Sequence, residues 1–413
     1  MKHYQYAKKL TQLRLSSNPN LHPGVIIRDK RLHLKLTLSE LATNICNPST
    51  LSKIEKGEYN KANSSLLSKL YARLNIKEIE NLEHIDWLEA FRIQFYQYDF
   101  STFNELSSEL SFYYQHDLIQ LGFSIFHENF QSFKEHIETL QKMCDYMSLQ
   151  ELQFYFYLLG RYYEKIYEGE LCKNYYRLSY KIADELKLSD PLLYLSLANY
   201  YSLANNSFKA CHFANLALAK FKSYYSIKYM IDCELLLSHE CIKKGLLSQA
   251  LPLLTQLNTK LNYSDSYGQR PKLCNIYGHY YVSLKEYEKA EKMYLKAIKE
   301  HSIPSEPILS LIKLYYESSQ IIKLKKLLNQ LKQHNFDFSH MKHLKHQYYY
   351  YLVYHSNSDV FRIFLLKKAL PLVKKQHDKE SIHLFSTSLI KFYQNNHKYK
   401  EALNVFLQLY ETS

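Results

Sequence analysis

The sequence contains little glycine and proline, with 8 Gly and 9 Pro among 413 residues. Tight turns between strands depend on these two residues, so their scarcity argues against a many-stranded sheet and favours helix. No run of about 18 apolar residues is present, and the opening segment MKHYQYAKKLTQLRL lacks the apolar centre of a secretion signal. We therefore expect no membrane span and no secretion, and place the protein in the cytoplasm.

Motifs for catalysis and metal binding are also missing. The 7 cysteines form no CxxC pair and no Cys/His ligand spacing, which predicts reduced thiols and no metal site. The sequence has no glycine-rich phosphate loop, HExxH motif, paired-carboxylate motif or nucleophile elbow. These absences argue against an enzyme, and we expect no cofactor.

Positive charge is abundant and unevenly distributed. The net charge is +13, and residues 1–80 alone hold 14 Lys or Arg against 6 Asp or Glu. A basic segment of this kind favours a polyanionic partner, although lysine-rich helices can simply present a solvated surface. The length, with 46% apolar residues, predicts at least two structural units.

Helix start and stop signals crowd the N-terminal segment. Pro23 suits the first turn of one helix, and Thr37 with Glu40 forms a capping box for a second. Asn47 and Pro48 then predict the start of a third helix, with the Asn47 side chain accepting from free backbone amides. That helix is expected to stop at Gly57, before a fourth from residue 63 or 64 and a short fifth at 77–81. Two helices joined by so tight a turn form a helix-turn-helix.

Residues 22–80 resemble the lambda-repressor-like (XRE-type) DNA-binding domain. The resemblance lies in the segments IRDKR, LTLSELA and LSKIEKG. From Ile45 to Leu51 the chain is one residue shorter than the usual repressor pattern. In this respect ICNPSTLSKIEKG is similar to the shortened turn of PlcR- and NprR-type regulators, which belong to the RRNPP family of peptide-pheromone receptors. The resemblance implies a semi-buried ion pair between Arg31 and Glu55.

The geometry of the motif places the N-terminal turn of the third helix in the major groove of DNA. The residues nearest base edges would be Asn47, Ser49, Thr50 and Lys53. Candidate phosphate contacts are Arg28, Lys35, Lys56 and Lys61. Two positions depart from the family pattern: Leu38 replaces a glutamine that braces a phosphate, and Pro48 replaces a base-reading side chain.

Beyond residue 85 the apolar spacing is helical, and a repeat of small and aromatic residues emerges. Its clearest copy contains Gly278, Tyr281, Ala290, Tyr294 and Ala297. This is the tetratricopeptide (TPR) pattern, in which small residues allow paired helices to approach closely. Copies start near residues 160, 198, 238 and 278, and less clearly near 312, 350 and 390, while two degenerate helix pairs are expected between 85 and 150.

The predicted fold is all-α, with a lambda-repressor-like domain at residues 1–84 followed by a right-handed TPR-like α-solenoid at residues 85–413. In such a stack the first helix of each pair lines a concave surface. The spacing from the small residues places six side chains there: Tyr157, Arg161, Asn199, His239, Asn275 and His279. Asparagine can donate to and accept from a peptide backbone, and Arg161 can bind a carboxylate. RRNPP receptors clamp peptides with inward-facing asparagines, which the resemblance carries to Asn199 and Asn275; alternatively, these six are solvated polar residues.

Two functions follow as hypotheses. The first is a transcription regulator that binds a double-stranded DNA operator and is controlled by a short linear signalling peptide in quorum sensing; the family resemblance implies a homodimer. The second is a TPR scaffold that binds and inhibits a partner protein such as a response regulator, as Rap-type proteins do.

Overall fold

A computed structural model describes residues 2–16, 23–56, 58, 64–75, 87–100, 114–127, 133–166, 168–263, 268–300, 305–333, 340–376 and 378–411. Every regular element within these ranges is helical, as predicted. The chain divides into two compact units, Met1–Leu193 and Tyr194–Ser413.

The first unit holds the helix-turn-helix segment together with the first repeats. Its helices are α1 (Lys2–Ser16), α2 (Pro23–His33), α3 (Leu38–Ala42), α4 (Pro48–Glu55), α5 (Ser64–Arg73), α6 (Trp87–Gln97), α7 (Tyr114–Phe126), α8 (Phe133–Met143), α9 (Leu149–Lys165) and α10 (Gly169–Glu185). A 3-10 turn, Cys144–Tyr146, joins α8 to α9. The predicted domain boundary after residue 84 and the predicted helix at 77–81 lie outside the described residues, so both stay predictions.

The boundary between the units falls within α11 (Pro191–Leu203). The helices that follow are α12 (Ser207–Ser223), α13 (Ile227–Lys243), α14 (Leu247–Tyr263), α15 (Arg270–Ser283), α16 (Tyr287–Glu300), α17 (Ser305–Glu317), α18 (Ile321–Gln333), α19 (His340–His355), α20 (Asp359–Phe364), α21 (Leu370–Gln376), α22 (Lys379–Asn395) and α23 (Tyr399–Glu411). Leu365–Ala369 forms a π-helical turn between α20 and α21. Helix pairs therefore recur at the positions that the repeat pattern predicts.

Small residues set the spacing within the pairs. A Cβ atom on Gly278 of α15 would lie 2.1 Å from the Tyr294 ring of α16, and one on Gly160 of α9 would lie 2.4 Å from the Tyr176 ring of α10. Only glycine allows each ring to pack directly on the backbone of the neighbouring helix. The same small–aromatic pairing thus operates in both units.

Helices α2 to α5 enclose a small apolar core. Its fully buried members are Ile27, Leu41, Ala42, Leu51, Ile54, Leu70 and Leu74. Gly24 brings α2 against α4, since a Cβ there would lie 1.8 Å from the carbonyl oxygen of Ile54. Thr37 and Glu40 form the predicted capping box, with the Glu40 amide 3.2 Å from the Thr37 hydroxyl. Asn47 precedes α4 but its side chain makes no capping hydrogen bond, so that expectation was wrong.

The described part of the chain includes no helix both long and apolar enough to cross a membrane. Nor does it bring three His, Cys, Asp or Glu side chains together as a metal site.

Candidate functional site

The outer face of α4 is polar and accessible. Leu51 and Ile54 point into the core, whereas Asn47, Ser49 and Lys53 are exposed and Thr50 is half-buried. Pro48 occupies the first turn of α4 and is exposed as well. The helix therefore presents a solvent-facing ridge at the position predicted to enter a DNA groove.

A buried ion pair fixes α4 against α2. Arg31 Nε lies 2.6 Å from Glu55 Oε1, and Arg31 Nη2 lies 2.8 Å from Glu55 Oε2. Arg31 also donates to the backbone carbonyl of Leu36 at 2.9 Å. With exposed fractions of 7% for Arg31 and 1% for Glu55, this bidentate pair belongs to the domain interior and orients the ridge.

The predicted phosphate contacts have different environments. Lys35 and Lys56 are exposed, and Lys35 has a left-handed backbone, with φ of 55°. Lys61 lies outside the described residues. Arg28 is half-buried. Burial raises the pKa of the Tyr6 phenol on α1, and the charge of Arg28 offsets part of that rise. Three of the four therefore have a described environment, and two of these are open to solvent.

Two of the predicted peptide contacts lie in the first unit. Tyr157 is fully buried and stacks on Tyr176 with ring centroids 6.4 Å apart. Tyr157 was expected to line the groove, but its ring is buried between the helices and is not accessible there. Arg161 is half-buried, 3.8 Å from a carboxylate oxygen of Glu164 and 5.9 Å from the centroid of the Phe126 ring.

In the second unit, Asn275, His279 and His239 come together on α13 and α15. The two imidazole centroids are 5.6 Å apart, and Asn275 Nδ2 lies 3.5 Å from His279 Nε2. Burial lowers the pKa of His279 to about 3, with further lowering from His239 and Lys313, and burial also lowers the pKa of His239. Both imidazoles are therefore neutral at pH 7, and each can donate from one nitrogen and accept at the other.

This cluster keeps a spare hydrogen-bonding atom. Asn275 is 6% exposed, yet its Oδ1 has no hydrogen-bond partner among the described residues. The other nitrogen of His279, Nδ1, lies 3.1 Å from the Tyr294 hydroxyl. Asn199 is half-buried on α11. The cluster thus gathers amide and imidazole groups suited to a peptide backbone.

Sequence reasoning did not assign several polar residues beside these positions. Tyr294 was identified only as a packing residue, although its hydroxyl bonds to His279. Glu240 is fully buried, bonded to the Ser202 hydroxyl, with Lys243 Nζ 3.6 Å away. The i, i+3 spacing of Glu240 and Lys243 is the one signal for this contact that the sequence offers.

Comparison with known proteins supports both parts of the fold. The helix-turn-helix family model matches residues 27–81. A search of curated proteins finds no significant match.

Solved structures match along most of the chain. NprR in complex with its cognate peptide NprX is 19% identical, with 78% of this chain and 97% of that chain covered at a TM-score of 0.65. A Rap protein complexed with Competence and Sporulation Factor is 15% identical, with 79% and 95% covered at a TM-score of 0.62. The apo form of the quorum sensor NprR from B. thuringiensis is 19% identical, with 79% and 96% covered at a TM-score of 0.56. At these identities the likeness establishes the fold.

The matched segment agrees with the helix-turn-helix predicted from the sequence, and the solved structures agree with the predicted helical-repeat fold. The chain combines a helix-turn-helix segment with a helical-repeat fold similar to that of the Rap and NprR structures.

Proposed function

We propose that this protein is a cytoplasmic transcription regulator that binds operator DNA through α4 and a short signalling peptide through its repeats. The observation that carries the proposal is the exposed polar ridge of α4 on a well-packed helix-turn-helix core. The protein acts by binding, with no catalytic step and no cofactor.

Several features of the first unit support the DNA half. Ser49 and Lys53 stand on the exposed face of α4, where short polar and cationic side chains can meet base edges. Lys56 and Lys35 are exposed nearby in the sequence and can neutralise phosphates. A homodimer would present two such ridges to the two half-sites of an operator.

The Asn275 cluster supports the peptide half. An extended peptide carries both N–H donors and carbonyl acceptors, and a buried amide beside two neutral imidazoles can satisfy either. Two of the similar solved structures contain a bound partner: NprR is in complex with its cognate peptide NprX, and a Rap protein is complexed with Competence and Sporulation Factor. A peptide that prefers one arrangement of the dimer would change its affinity for DNA.

The second candidate is a scaffold that binds and inhibits a partner protein such as a response regulator. It is favoured by the likeness to a Rap protein, which is nearly as strong as the likeness to NprR. Binding of purified receiver domains, with no requirement for α4, would distinguish it from the DNA-binding function.

The DNA half is tested by incubating the protein with fragmented chromosomal DNA at two salt concentrations and sequencing the retained fragments. We expect wild type to enrich a few fragments at the higher salt, and Lys53→Glu to lose the enrichment because it reverses a charge on the ridge. Retention of all fragments alike by wild type would contradict the proposal.

The peptide half is tested by screening short synthetic peptides for a shift in melting temperature. A binding peptide should lose its effect in Asn275→Ala, because the truncation removes the buried amide. Asn215→Ala, which alters an exposed asparagine on α12, serves as the matched control and should respond like wild type. Equal responses from both variants would contradict the assignment of Asn275.

A further inference from the structure

Helix α1 is a docked element of the first unit. It packs against α10, with the Tyr4 and Tyr175 rings edge to face at a centroid distance of 5.7 Å. Ala7, Leu10 and Thr11 are buried, with exposed fractions of 2%, 6% and 1%. Their spacing places all three on one face of the helix, so α1 has one buried face along its length.

A polar contact fixes the same helix to a second element. The Tyr6 hydroxyl donates to the Asp145 carboxylate in the 3-10 turn between α8 and α9. The partners are 139 residues apart in sequence, so this bond holds the N-terminus of the chain to the repeats. Burial and the bond to Asp145 raise the pKa of the Tyr6 phenol, so the hydroxyl keeps the proton that it donates.

Chain length makes α1 a tether for the helix-turn-helix domain. Only residues 17–22 separate the end of α1 from the start of α2. Seven peptide steps span at most about 25 Å, so a docked α1 limits how far the N-terminus of α2 can move from α10. The domain is joined to the repeats by the chain after α5 as well, and docking of α1 therefore restrains it at both ends.

We propose that α1 is an autoinhibitory strap: docked on α10, it restrains the helix-turn-helix domain, and its release increases affinity for DNA. This inference rests on the proposed DNA-binding function and assigns its regulation. Binding to an operator needs a domain free to align with the groove, and the apparent dissociation constant falls as the released fraction grows.

Release is tested with Leu10→Asp, which places a carboxylate on the buried face, and with Tyr6→Phe, which removes one hydroxyl from a 44% exposed side chain. Gln12→Asp introduces the same charge at an exposed position of α1 and is the matched control. We expect Leu10→Asp to bind a retained fragment about tenfold more tightly than Gln12→Asp, and Tyr6→Phe about threefold more tightly than wild type. Tyr6→Phe keeps the test decisive if Leu10→Asp fails to fold.

Two measurements without DNA separate this inference from the proposed function. Amide hydrogen exchange should show protection of residues 4–11 in wild type and Gln12→Asp, and its loss in Leu10→Asp. Small-angle scattering should give a larger radius of gyration for Leu10→Asp than for Gln12→Asp. Each of three results would overturn the proposal that α1 is an autoinhibitory strap. These are unprotected α1 amides in wild type, an unchanged radius of gyration in Leu10→Asp, and DNA binding that is unchanged or weaker after release. Absence of DNA binding in every protein, with both DNA-free results as expected, would overturn the DNA function and the strap's inhibitory role while retaining α1 as a tether.

Discussion

At the scale of single residues, the helix-turn-helix core depends on a charged pair that its apolar side chains enclose. Arg31 and Glu55 share two short hydrogen bonds, and Arg31 makes a third to a backbone carbonyl. Removing one partner leaves an uncompensated charge in the interior, whereas replacing both by apolar residues does not.

We therefore predict that Glu55→Ala destabilises the domain by about 3–5 kcal/mol, and that the double variant Arg31→Met with Glu55→Leu lies closer to wild type. Hydrogen exchange of the α4 and α5 amides reports on this domain within the full chain. Arg362 and Asp359 form an equally short but more exposed pair, at 2.7 Å, so Asp359→Ala should cost no more than about 1 kcal/mol in its own region. Similar losses in the two variants would contradict a special role for the buried pair.

The neutral His279 predicts a pH dependence of stability. Its pKa falls from 6.5 to about 3 on folding, so between these values the unfolded chain binds a proton that the folded chain does not. Folding stability attributable to this group is thus fully present above pH 6.5 and is lost as the pH falls towards 3, with a slope of at most about 1.4 kcal/mol per pH unit. Urea denaturation at pH 7 and pH 5 should show a larger loss in wild type than in His279→Gln, and equal losses would refute this account.

At the scale of elements, a glycine sets the close approach of two helix pairs, with Gly160 in the α9–α10 pair and Gly278 in the α15–α16 pair. Gly278→Ala adds a methyl group 2.1 Å from the Tyr294 ring, which must move, so we predict a net loss of stability even though alanine favours helix by about 1 kcal/mol. Gly122→Ala in α7 meets the Phe91 ring at 3.2 Å and should cost less. The double variant Gly278→Ala with Tyr294→Leu should recover part of the loss in thermal denaturation; strictly additive losses would show that the contact is not the cause.

Elements were predictable where their signals are local. Thr37 and Glu40 are three residues apart, and the small and aromatic repeat positions specify neighbouring helices, so this capping box and the helix pairs follow from the sequence. Docking of α1 on α10 was not predicted, because it depends on partners such as Tyr6 and Asp145 that lie far apart along the chain. The burial of Tyr157 was missed for a related reason. Helical spacing predicts the direction in which a side chain points, whereas its exposure depends on the residue that packs on it from the next helix, here Tyr176.

At the scale of the whole molecule, the effect of removing single lysines distinguishes a specific DNA-binding surface from attraction by the net positive charge. The net charge is +13, so some non-specific attraction to DNA is expected from the entire chain. An exposed lysine contributes to the salt dependence of binding only if it neutralises a phosphate. Lys56 follows α4 on the candidate interface, while Lys296 is an exposed lysine on α16 in the second unit.

We predict that Lys56→Ala weakens binding to a retained fragment and to unrelated DNA alike, and lowers by about one the slope of log affinity against log salt concentration. Lys296→Ala changes the net charge by the same amount and should leave both affinity and slope as in wild type. Fluorescence anisotropy across a salt series measures the two together. If both variants reduced the slope equally, net charge rather than the helix-turn-helix would account for binding, and if neither did, Lys56 would not contact a phosphate.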